Sequence, residues 1–212
     1  MKRKLALFDF DDTMIRGDSI ARLVRRLYTK GHLSTGGLLK TLWGTLLWKL
    51  GRMPVEDIKT LSLSPLVRMP REEAAAFCRR FVEEELVPGL YPDAVKQMQR
   101  HRDAGDLVLL VSASPEVYLA YMADVLPVDG IIATRTDGQF RVVLNVVKDE
   151  KNRQITLWLK KRGIEADWAH SAAYGDSSND LHMLGMVGKP HLVNPSRKTR
   201  KRGQGIPVLH WH

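Results

Sequence analysis

Cysteine is nearly absent from this 212-residue chain, which contains a single one, Cys78. One cysteine cannot form a disulfide within the chain, and its helical context predicts a buried structural thiol. The N-terminus also lacks the long apolar run of a signal peptide, since too few apolar residues lie between Met1–Lys4 and Asp9. Both absences favour a reducing, cytoplasmic setting and argue against a secreted domain held together by disulfides.

Acidic residues are missing from two long stretches of a chain whose formal net charge is +9 at pH 7. Every charged side chain between Ser19 and Val55 is basic, and no acid follows Asp180. A positive balance of this kind suits anionic partners, namely phosphorylated metabolites, nucleic acids or acidic membrane surfaces. The alternative interpretation of both stretches is a solvated basic face without a partner.

What the chain does contain is an apolar segment that leads directly into three carboxylates. Leu5–Phe8 is apolar at every position, as in a strand of a parallel sheet that is covered on both faces. Asp9, Asp11 and Asp12 follow, and ligands of open α/β sheets gather beyond the carboxyl ends of such strands. Like charges at this density are costly unless a cation lies among them, so the motif favours a divalent metal site. A polar loop that closes an ordinary strand is the alternative.

The rest of the chain divides into a helical part and a part in which strands and helices alternate. From residue 15 to residue 87 the apolar residues recur at helical spacing, with no convincing strand pattern. Beyond it, buried strands such as Leu107–Val111 and His170–Tyr174 alternate with helices. This alternation predicts an α/β fold with a Rossmann-like, doubly wound, mostly parallel sheet. Other predicted strands are Gly130–Ala133 and His191–Asn194, and a hairpin turn is predicted at Asp137-Gly138.

Leu38–Leu50 is the most apolar of the predicted helices. Its leucines and tryptophans recur at helical spacing, with Lys40 and Lys49 among the polar residues opposite. The uncharged part, Thr41–Trp48, is far shorter than the about 20 apolar residues that cross a bilayer. Packing against neighbouring helices is the ordinary explanation of such a face. The alternative is peripheral contact with an anionic membrane through the tryptophans and the basic residues.

Three later loops carry residues that complement the first acidic motif. Ser112 follows the strand Leu107–Val111 close to a helix N-terminus, which is a ready anion site. Asp176 and Asp180 follow the strand that ends at Tyr174, and Lys151 begins a helix between the two loops. Each residue has a structural explanation by itself, as a cap, a turn or a surface lysine. Together they assemble a phosphate site from a carboxylate nucleophile, a metal cage, a hydroxyl and a cation.

These segments, in their order along the chain, resemble the four motifs of the haloacid dehalogenase superfamily. The motifs are Asp9–Thr13, Val111-Ser112, Lys151 and Gly175–Asp180. The helical insert directly after the first motif is similar to the C1-type cap of the phosphoserine-phosphatase-like branch, subfamily IB. The resemblance spans nearly the whole chain. It implies an α/β core formed by residues 1–14 and 88–212 and a helical cap formed by residues 15–87.

The resemblance also implies a mechanism for hydrolysis of a phosphate monoester. Asp9 would attack phosphorus and form an aspartyl-phosphate, while Asp11 would protonate the departing alcohol and then activate water. Mg²⁺ is the implied cofactor, held by Asp9, the backbone carbonyl of Asp11, and Asp176. The remaining implied roles are phosphate binding by Ser112, Ala113 and Lys151, support of the metal site by Asn179 and Asp180, and orientation of the first loop by Thr13.

The substrate implied by the resemblance is a small phosphorylated metabolite such as phosphoserine. Phosphoserine phosphatases place an acidic residue shortly after the first motif, where Asp18 stands here, and use an arginine of the cap for the substrate carboxylate. The corresponding cap position in this chain is close to Ser62, and Arg52 and Arg68 are the nearest arginines. This difference keeps other substrates open. A lipid phosphate is the alternative, because the apolar helix Leu38–Leu50 would suit it.

A nucleic-acid partner is disfavoured in spite of the positive charge. The basic segment after Asn194 contains one aromatic residue, Trp211, and single-stranded nucleic acids are bound through several aromatic stacking platforms. The expected partner is therefore a small phosphorylated substrate, with an anionic membrane surface as the alternative. The sequence pattern leaves the oligomeric state undetermined.

Overall fold

A mostly parallel sheet forms the centre of the computed structural model, which describes residues 2–212. The strands are β1 (Leu5–Phe8), β2 (Leu107–Pro115), β3 (Gly130–Thr136), β4 (Val142–Leu144), β5 (Ala172–Gly175), β6 (Lys189–Val193) and β7 (Val208–Leu209). Their order across the sheet is β4-β3-β2-β1-β5-β6-β7, and each neighbouring pair is parallel except β3 and β4. The predicted α/β fold with a mostly parallel sheet is confirmed.

Helices cover both faces of this sheet, as the predicted doubly wound arrangement requires. They are α1 (Ser19–Thr29), α2 (Thr35–Lys49), α3 (Val55–Leu63), α4 (Arg71–Phe81), α5 (Pro92–Asp103), α6 (Glu116–Leu119), α7 (Asp149–Lys161), α8 (Leu181–Leu184) and α9 (Arg197–Arg202). Leu7 on β1 packs in a buried cluster with Ile155 of α7, whereas its neighbour Phe8 joins the opposite cluster with Met98 of α5. Successive residues of a strand face opposite sides, so β1 is buried on both.

The helical segment, defined here as Ser19–Gly89, leaves the sheet after β1 and returns before α5. Its two connections run side by side, because Tyr91 N donates to Met14 O at 2.8 Å and Ile15 pairs with Leu90 in an antiparallel bridge. Among the residues described, the helical segment has no strand of its own. We propose that it is the cap expected from the sequence, with the boundaries at residues 15 and 87 kept as a prediction.

Helix α2 lies in the helical segment with its apolar side outward, contrary to the sequence expectation that this side packs against neighbours. Thr41 and Gly44 are buried, while Leu39 and Trp43 are 61% and 60% exposed. The reason is a close approach between helices: a Cβ atom on Gly44 would lie 3.0 Å from Ile58 Cδ1 of α3. In the described part of the chain, none of the helices has the length and apolarity to cross a membrane.

Candidate active site

Asp9 lies at the carboxyl end of β1, the central strand. Its backbone N–H donates to Tyr174 O of β5 at 2.9 Å, which extends the parallel pairing by one residue. The carboxylate is buried and accepts a hydrogen bond from Lys151 Nζ at 2.6 Å through Oδ1. The strand therefore fixes the backbone of Asp9, and the lysine fixes one of its two carboxylate oxygens.

Lys151 is fully buried in the first turns of α7, although a lysine is rarely buried without partners. Its ammonium donates to Asp9 Oδ1 and Asp180 Oδ1, both at 2.6 Å, and to Val111 O at 3.0 Å. An ammonium has three hydrogens, so these three acceptors use all of them. The residue before α7, Lys148, has a φ of 49°, a backbone conformation that a non-glycine residue adopts at some cost.

Asp176 and Asp180 belong to the loop that follows β5. Asp180 Oδ2 accepts hydrogen bonds from Ser177 N at 3.0 Å and from Ser177 Oγ at 2.7 Å. Gly175 makes room for this turn, because a Cβ atom there would lie 2.5 Å from Asp180 Cβ. Asp9, Asp176 and Asp180 each present a carboxylate oxygen within 4.8 Å of the others. The ends of β1 and β5 therefore bring Asp9 together with two acids of a loop that is distant from it in sequence.

Burial and mutual repulsion raise the pKa values of these carboxyl groups. Burial, followed by the charge of Asp180, raises the pKa of Asp9 to about 7, although Lys151 acts in the opposite direction. Burial, followed by Asp9 and Asp180, raises the pKa of Asp176 to about 9. For Lys151, burial acts to lower the pKa, but Asp180 and Asp9 outweigh it and the pKa is raised. The cluster thus contains three carboxyl groups and one ammonium, so it has too little positive charge to neutralise all three as carboxylates.

The three carboxylates fit a hard divalent cation such as Mg²⁺. Such ions prefer oxygen ligands, and the charge deficit of the cluster is what one divalent ion would supply. Asp9 and Asp176 are members of the expected ligand set. Asp180 was expected only to support it, and its carboxylate is already bonded to Lys151 and Ser177. The part expected of the Asp11 backbone carbonyl stays a prediction.

Asp11 is two residues beyond Asp9, and its side chain is held by a separate set of donors. Oδ1 accepts from Ser19 N at 2.6 Å, at the start of α1, and Oδ2 accepts from the hydroxyl of Ser114. The Ser114 hydroxyl is 2.8 Å from Ser19 Oγ, which in turn is 2.8 Å from the hydroxyl of buried Tyr118. Burial, followed by repulsion from Asp18, raises the pKa of Asp11 to about 6. This chain of hydroxyls fixes the orientation of Asp11, and Ser114 is a site residue that was not predicted from the sequence.

A cavity of about 250 Å³ brings most of the predicted site residues together. Those that line it are Asp9, Asp11, Asp18, Ser112, Ala113, Lys151, Asp176, Asn179 and Asp180. Ser112 is buried at its edge, and Ser112 Oγ accepts a hydrogen bond from Ser114 N at 2.9 Å. Asp18 caps α1 by accepting from Ala21 N at 2.9 Å. We name this cavity, with its carboxylate cluster, the catalytic cavity.

Three predicted residues lie outside the lining of the catalytic cavity. Arg52 and Arg68 are exposed on the helical segment and are not among the lining residues. Thr13 is fully buried, and its hydroxyl has no hydrogen-bond partner within residues 2–212. The substrate-specificity role of the two arginines and the loop-orienting role of Thr13 therefore remain predictions without a supporting contact.

Lys59 is the cation that the helical segment does supply to the catalytic cavity. From α3 its ammonium donates to Ala113 O and to Asn145 Oδ1, both at 2.6 Å, so it links the helical segment to the second half of β2 and to the residue after β4. Burial lowers the pKa of Lys59 to about 8, although Asp11 acts in the opposite direction. Lys59 was not predicted from the sequence as a site residue. The one indication in the sequence is that Lys59 lies one helical turn before Ser62, which is close to the cap position where phosphoserine phosphatases have an arginine.

A second, apolar cavity adjoins the catalytic cavity inside the helical segment. This apolar chamber has a volume of about 230 Å³, lies between α1, α2 and α3, and shares Asp18, Trp48 and Lys59 with the catalytic cavity. The hydroxyls that line it donate to carbonyls of their own helices, as Thr41 Oγ1 does to Gly37 O at 3.0 Å. Few polar groups are therefore left to bind a polar ligand in the apolar chamber.

The chain is similar to known proteins in sequence and in fold. The sequence profile of the haloacid dehalogenase-like hydrolases matches residues 6–185. A histidinol-phosphatase of Neisseria meningitidis is 28% identical over 99% of both chains. A protein of unknown function from Bordetella pertussis has a crystal structure with a TM-score of 0.88, 26% identity and 99% coverage of both chains. A substrate-bound phosphoserine phosphatase has the same fold, with a TM-score of 0.67, 19% identity and coverage of 98% of this chain and 93% of its own. The protein therefore belongs to the haloacid dehalogenase-like hydrolase family, as one of its phosphoric monoester hydrolases.

Proposed function

We propose that the protein hydrolyses a phosphate monoester in two steps, through an aspartyl-phosphate formed on Asp9. The observation that carries this proposal is the pair of 2.6 Å contacts from Lys151 to Asp9 and Asp180 beside Asp176. Lys151 holds Asp9 Oδ1, and Oδ2 accepts no hydrogen bond from residues 2–212, so it is available as the nucleophile. An oxygen of Asp9 forms a bond to phosphorus while the bond to the leaving oxygen breaks.

Asp11 is the proposed acid and base of the two steps. In the first step its proton goes to the leaving oxygen, which keeps the electron pair of the broken bond. In the second step its carboxylate takes a proton from the attacking water, whose oxygen bonds to phosphorus while the bond between phosphorus and the Asp9 oxygen breaks, so that phosphate leaves and the Asp9 carboxylate is restored. A pKa of about 6 makes both protonation states accessible near neutral pH. The bonds from Ser19 N and Ser114 keep the carboxyl group pointed into the catalytic cavity.

Asp9 and Asp176 would hold Mg²⁺, with Asp180 beside them. When bound, the ion supplies positive charge for the phosphate oxygens, and the buried carboxylates then share two cations instead of one. Ser112 and the backbone of Ala113 would bind the phosphate from the other side. We expect dialysis against EDTA to abolish turnover and added Mg²⁺ to restore it. Isothermal titration with Mg²⁺ should lose its signal in Asp176→Asn.

Replacement of the nucleophile tests the mechanism directly. Asp9→Asn should reduce phosphate release from p-nitrophenyl phosphate by more than about a thousandfold, because the amide cannot form the acyl-phosphate. Asp57→Asn is the matched control, since Asp57 is exposed and outside the lining of the catalytic cavity. Acid quenching during turnover should give protein with one added phosphate on the peptide that contains Asp9. Retained turnover in Asp9→Asn, or a phosphate on another residue, would contradict the mechanism.

For the substrate, we propose a small metabolite phosphate that carries an amine and a ring or other apolar part. The Asp18 carboxylate faces the catalytic cavity and would attract an amine, whereas no arginine is among the lining residues within the described chain to pair with a carboxylate. Lys59 already uses two of its three hydrogens on protein acceptors. The apolar chamber beyond it would take the ring. Histidinol phosphate, the substrate in the name of the Neisseria relative, has both an amine and a ring, whereas phosphoserine has a carboxylate instead of the ring.

A substrate panel separates these candidates. We expect kcat/KM for histidinol phosphate to exceed that for phosphoserine by at least about tenfold, because a carboxylate placed near the apolar chamber would lack a full partner. Phosphoethanolamine, with the amine and no ring, should fall between them. A higher value for phosphoserine would contradict the substrate proposal and leave the mechanism intact, since the mechanism is tested with p-nitrophenyl phosphate.

A lipid phosphate is the second candidate substrate. It is favoured by the open side of the apolar chamber, where Leu42 and Trp48 both line the chamber and are exposed to solvent. An acyl chain could leave the chamber there. Dioctanoyl phosphatidic acid in the same panel tests this candidate, which is supported if its kcat/KM exceeds the values for all three metabolites and is dismissed if phosphate release is absent.

A further inference from the structure

Helix α2 presents a continuous apolar stripe to solvent. The apolar stripe consists of Leu39, Leu42, Trp43, Leu46 and Leu50, at positions i, i+3, i+4, i+7 and i+11. Each of these side chains is at least 45% exposed. Scattered apolar side chains are common on protein surfaces, but a contiguous stripe of five large ones is typical of a surface that contacts another protein, a membrane or a ligand.

The helix cannot turn this stripe inward. Its opposite side carries Gly44, where a Cβ atom would lie 3.0 Å from Ile58 Cδ1 and 3.3 Å from Leu61 Cδ2 of α3. Thr41 is buried on the same side. Rotation of α2 would therefore place leucine or tryptophan where even a Cβ atom is in tight contact with α3. Because the inner side is fixed by this close packing, the exposure of the stripe is a constant feature of the fold.

The charged residues of α2 and of the turn after it have one sign. At 3.6 residues per turn, Lys40 and Lys49 fall on opposite flanks of the stripe, each about a quarter turn from its centre. Arg52 is exposed in the turn that follows α2. No acid occurs between Ser19 and Val55 in the sequence. The first acids beyond are Glu56, which bonds Asn145 Nδ2 at 2.9 Å, and exposed Asp57.

We propose that the apolar stripe of α2 docks on the surface of an anionic lipid bilayer. A helix with a leucine and tryptophan face and lysines on both flanks lies in the plane of a membrane interface, with its apolar face among the acyl chains. The basic flanks then meet lipid phosphates. A second copy of the chain is a poorer occupant, because symmetric pairing of α2 would bring lysines together without acids to neutralise them. Fifteen residues in α2 span about 22 Å, enough to lie along a bilayer and too few to cross it.

Vesicle co-sedimentation tests this proposal with the full chain. We expect the protein to sediment with vesicles of phosphatidylcholine and phosphatidylglycerol, and at least about tenfold more weakly with phosphatidylcholine alone. Trp43→Glu with Leu46→Glu should abolish sedimentation. Leu157→Glu, the same change at an exposed leucine of α7, should sediment like the wild type. Turnover of p-nitrophenyl phosphate should be equal in all of these proteins, which separates the docking proposal from the proposed mechanism.

A second measurement tests the proposal even if Trp43→Glu with Leu46→Glu fails to fold. Brominated lipid in the anionic vesicles should quench the tryptophan fluorescence of the wild type, and Trp43→Phe should lose most of that quenching while keeping its sedimentation. No sedimentation with phosphatidylglycerol vesicles, or quenching that is unchanged in Trp43→Phe, would overturn the proposal. A dimer in sedimentation velocity that Trp43→Glu with Leu46→Glu dissociates would also overturn it, since a second copy would then cover the apolar stripe.

Discussion

At the scale of single residues, Lys151 determines the charge balance of the catalytic cavity. It is the ammonium that contacts both Asp9 and Asp180, and all three groups are buried. In metal-free buffer we expect Lys151→Met to lower the free energy of unfolding by about 3 kcal/mol, because two buried carboxylates lose their cation. Urea denaturation measures this change.

Asp180→Asn on the same background separates the ion pair from packing. Removing one carboxylate should recover part of the stability lost in Lys151→Met, so the two effects should be less than additive. Additive effects would mean that the lysine acts through its aliphatic chain alone, and the proposed charge balance would then be wrong.

Cys78 gives a prediction about pH. Burial raises the pKa of its thiol to about 12 from an ordinary value of 9.0. The unfolded chain therefore loses this proton at lower pH than the folded protein does. The stability that the neutral thiol contributes is complete below pH 9 and falls by up to about 1.4 kcal/mol per pH unit as the pH rises toward 12.

Urea unfolding at pH 8 and pH 10 checks this for the wild type and Cys78→Ala. The stability difference between the two proteins should shrink by about 1 kcal/mol at pH 10, since alanine has no proton to lose. Groups other than Cys78 titrate in both proteins and cancel in the comparison. An equal difference at both pH values would contradict burial of the thiol.

Residues at strand ends could be predicted from the sequence, whereas residues delivered by helix packing could not. Asp9 and Asp176 each follow an apolar strand, and parallel strands end at one edge of the sheet. Lys59 reaches the catalytic cavity only because α3 packs over β4, and the sequence around it hardly distinguishes it from the rest of the 33 lysines and arginines. Ser114 has no comparable sequence signal, yet it lies near the end of β2 and its hydroxyl donates to Asp11.

At the scale of elements, two glycines allow a direct comparison. A Cβ atom on Gly188, just before β6, would lie 2.0 Å from the backbone oxygen of Ala169. We expect Gly188→Ala to lower the free energy of unfolding by more than about 2 kcal/mol, because a backbone atom cannot move aside as a flexible side chain can. Gly36→Ala is the matched control: a Cβ atom there meets nothing within 4 Å.

Gly36→Ala should leave the free energy of unfolding unchanged or raise it by up to about 1 kcal/mol, since alanine lowers the entropy of the unfolded chain. Urea denaturation of both variants measures the two effects. Similar stabilities for Gly188→Ala and Gly36→Ala would show that the loop before β6 can move away from Ala169.

Element types followed from sequence periodicity more reliably than element orientation did. The predicted hairpin at Asp137-Gly138 is confirmed by the antiparallel pairing of β3 with β4, and the strand predicted over His170–Tyr174 is present as β5, which begins two residues later at Ala172. The apolar side of α2 was expected to pack inward, and it faces out. Periodicity locates an apolar face but cannot weigh it against the close approach that Gly44 permits on the other side. The two-residue strand β7 is too short for any pattern to indicate it.

At the scale of the whole molecule, Asn145 connects the helical segment with the sheet. Its Oδ1 accepts from Lys59 Nζ at 2.6 Å and from Thr134 Oγ1 at 3.1 Å, and its Nδ2 donates to Glu56 Oε1 at 2.9 Å. We expect Asn145→Ala to speed amide hydrogen exchange in α3 by about tenfold, because the helix loses two of its side-chain contacts with the sheet. Exchange in β1 and β2 should not change.

Hydrogen-exchange mass spectrometry resolves these segments. Asn152→Ala is the control, since Asn152 bonds His182 O on the far side of α7 and should leave α3 unaffected. Faster exchange throughout the sheet of Asn145→Ala would mean that the residue stabilises the entire fold rather than the contact between its two parts.

The central position of β1 also bears on how the protein is made. Translation produces β1 first, yet Leu5 pairs with Leu107 on one side, and Ala6 pairs with Ala172 on the other. While the first half of the chain leaves the ribosome, an apolar strand with two unpaired edges has no partner, and such edges invite aggregation. The emerging helices of the helical segment are the nearest apolar surface available to shield it. A nascent chain stalled before residue 107 should therefore need a holding chaperone more than one stalled after it.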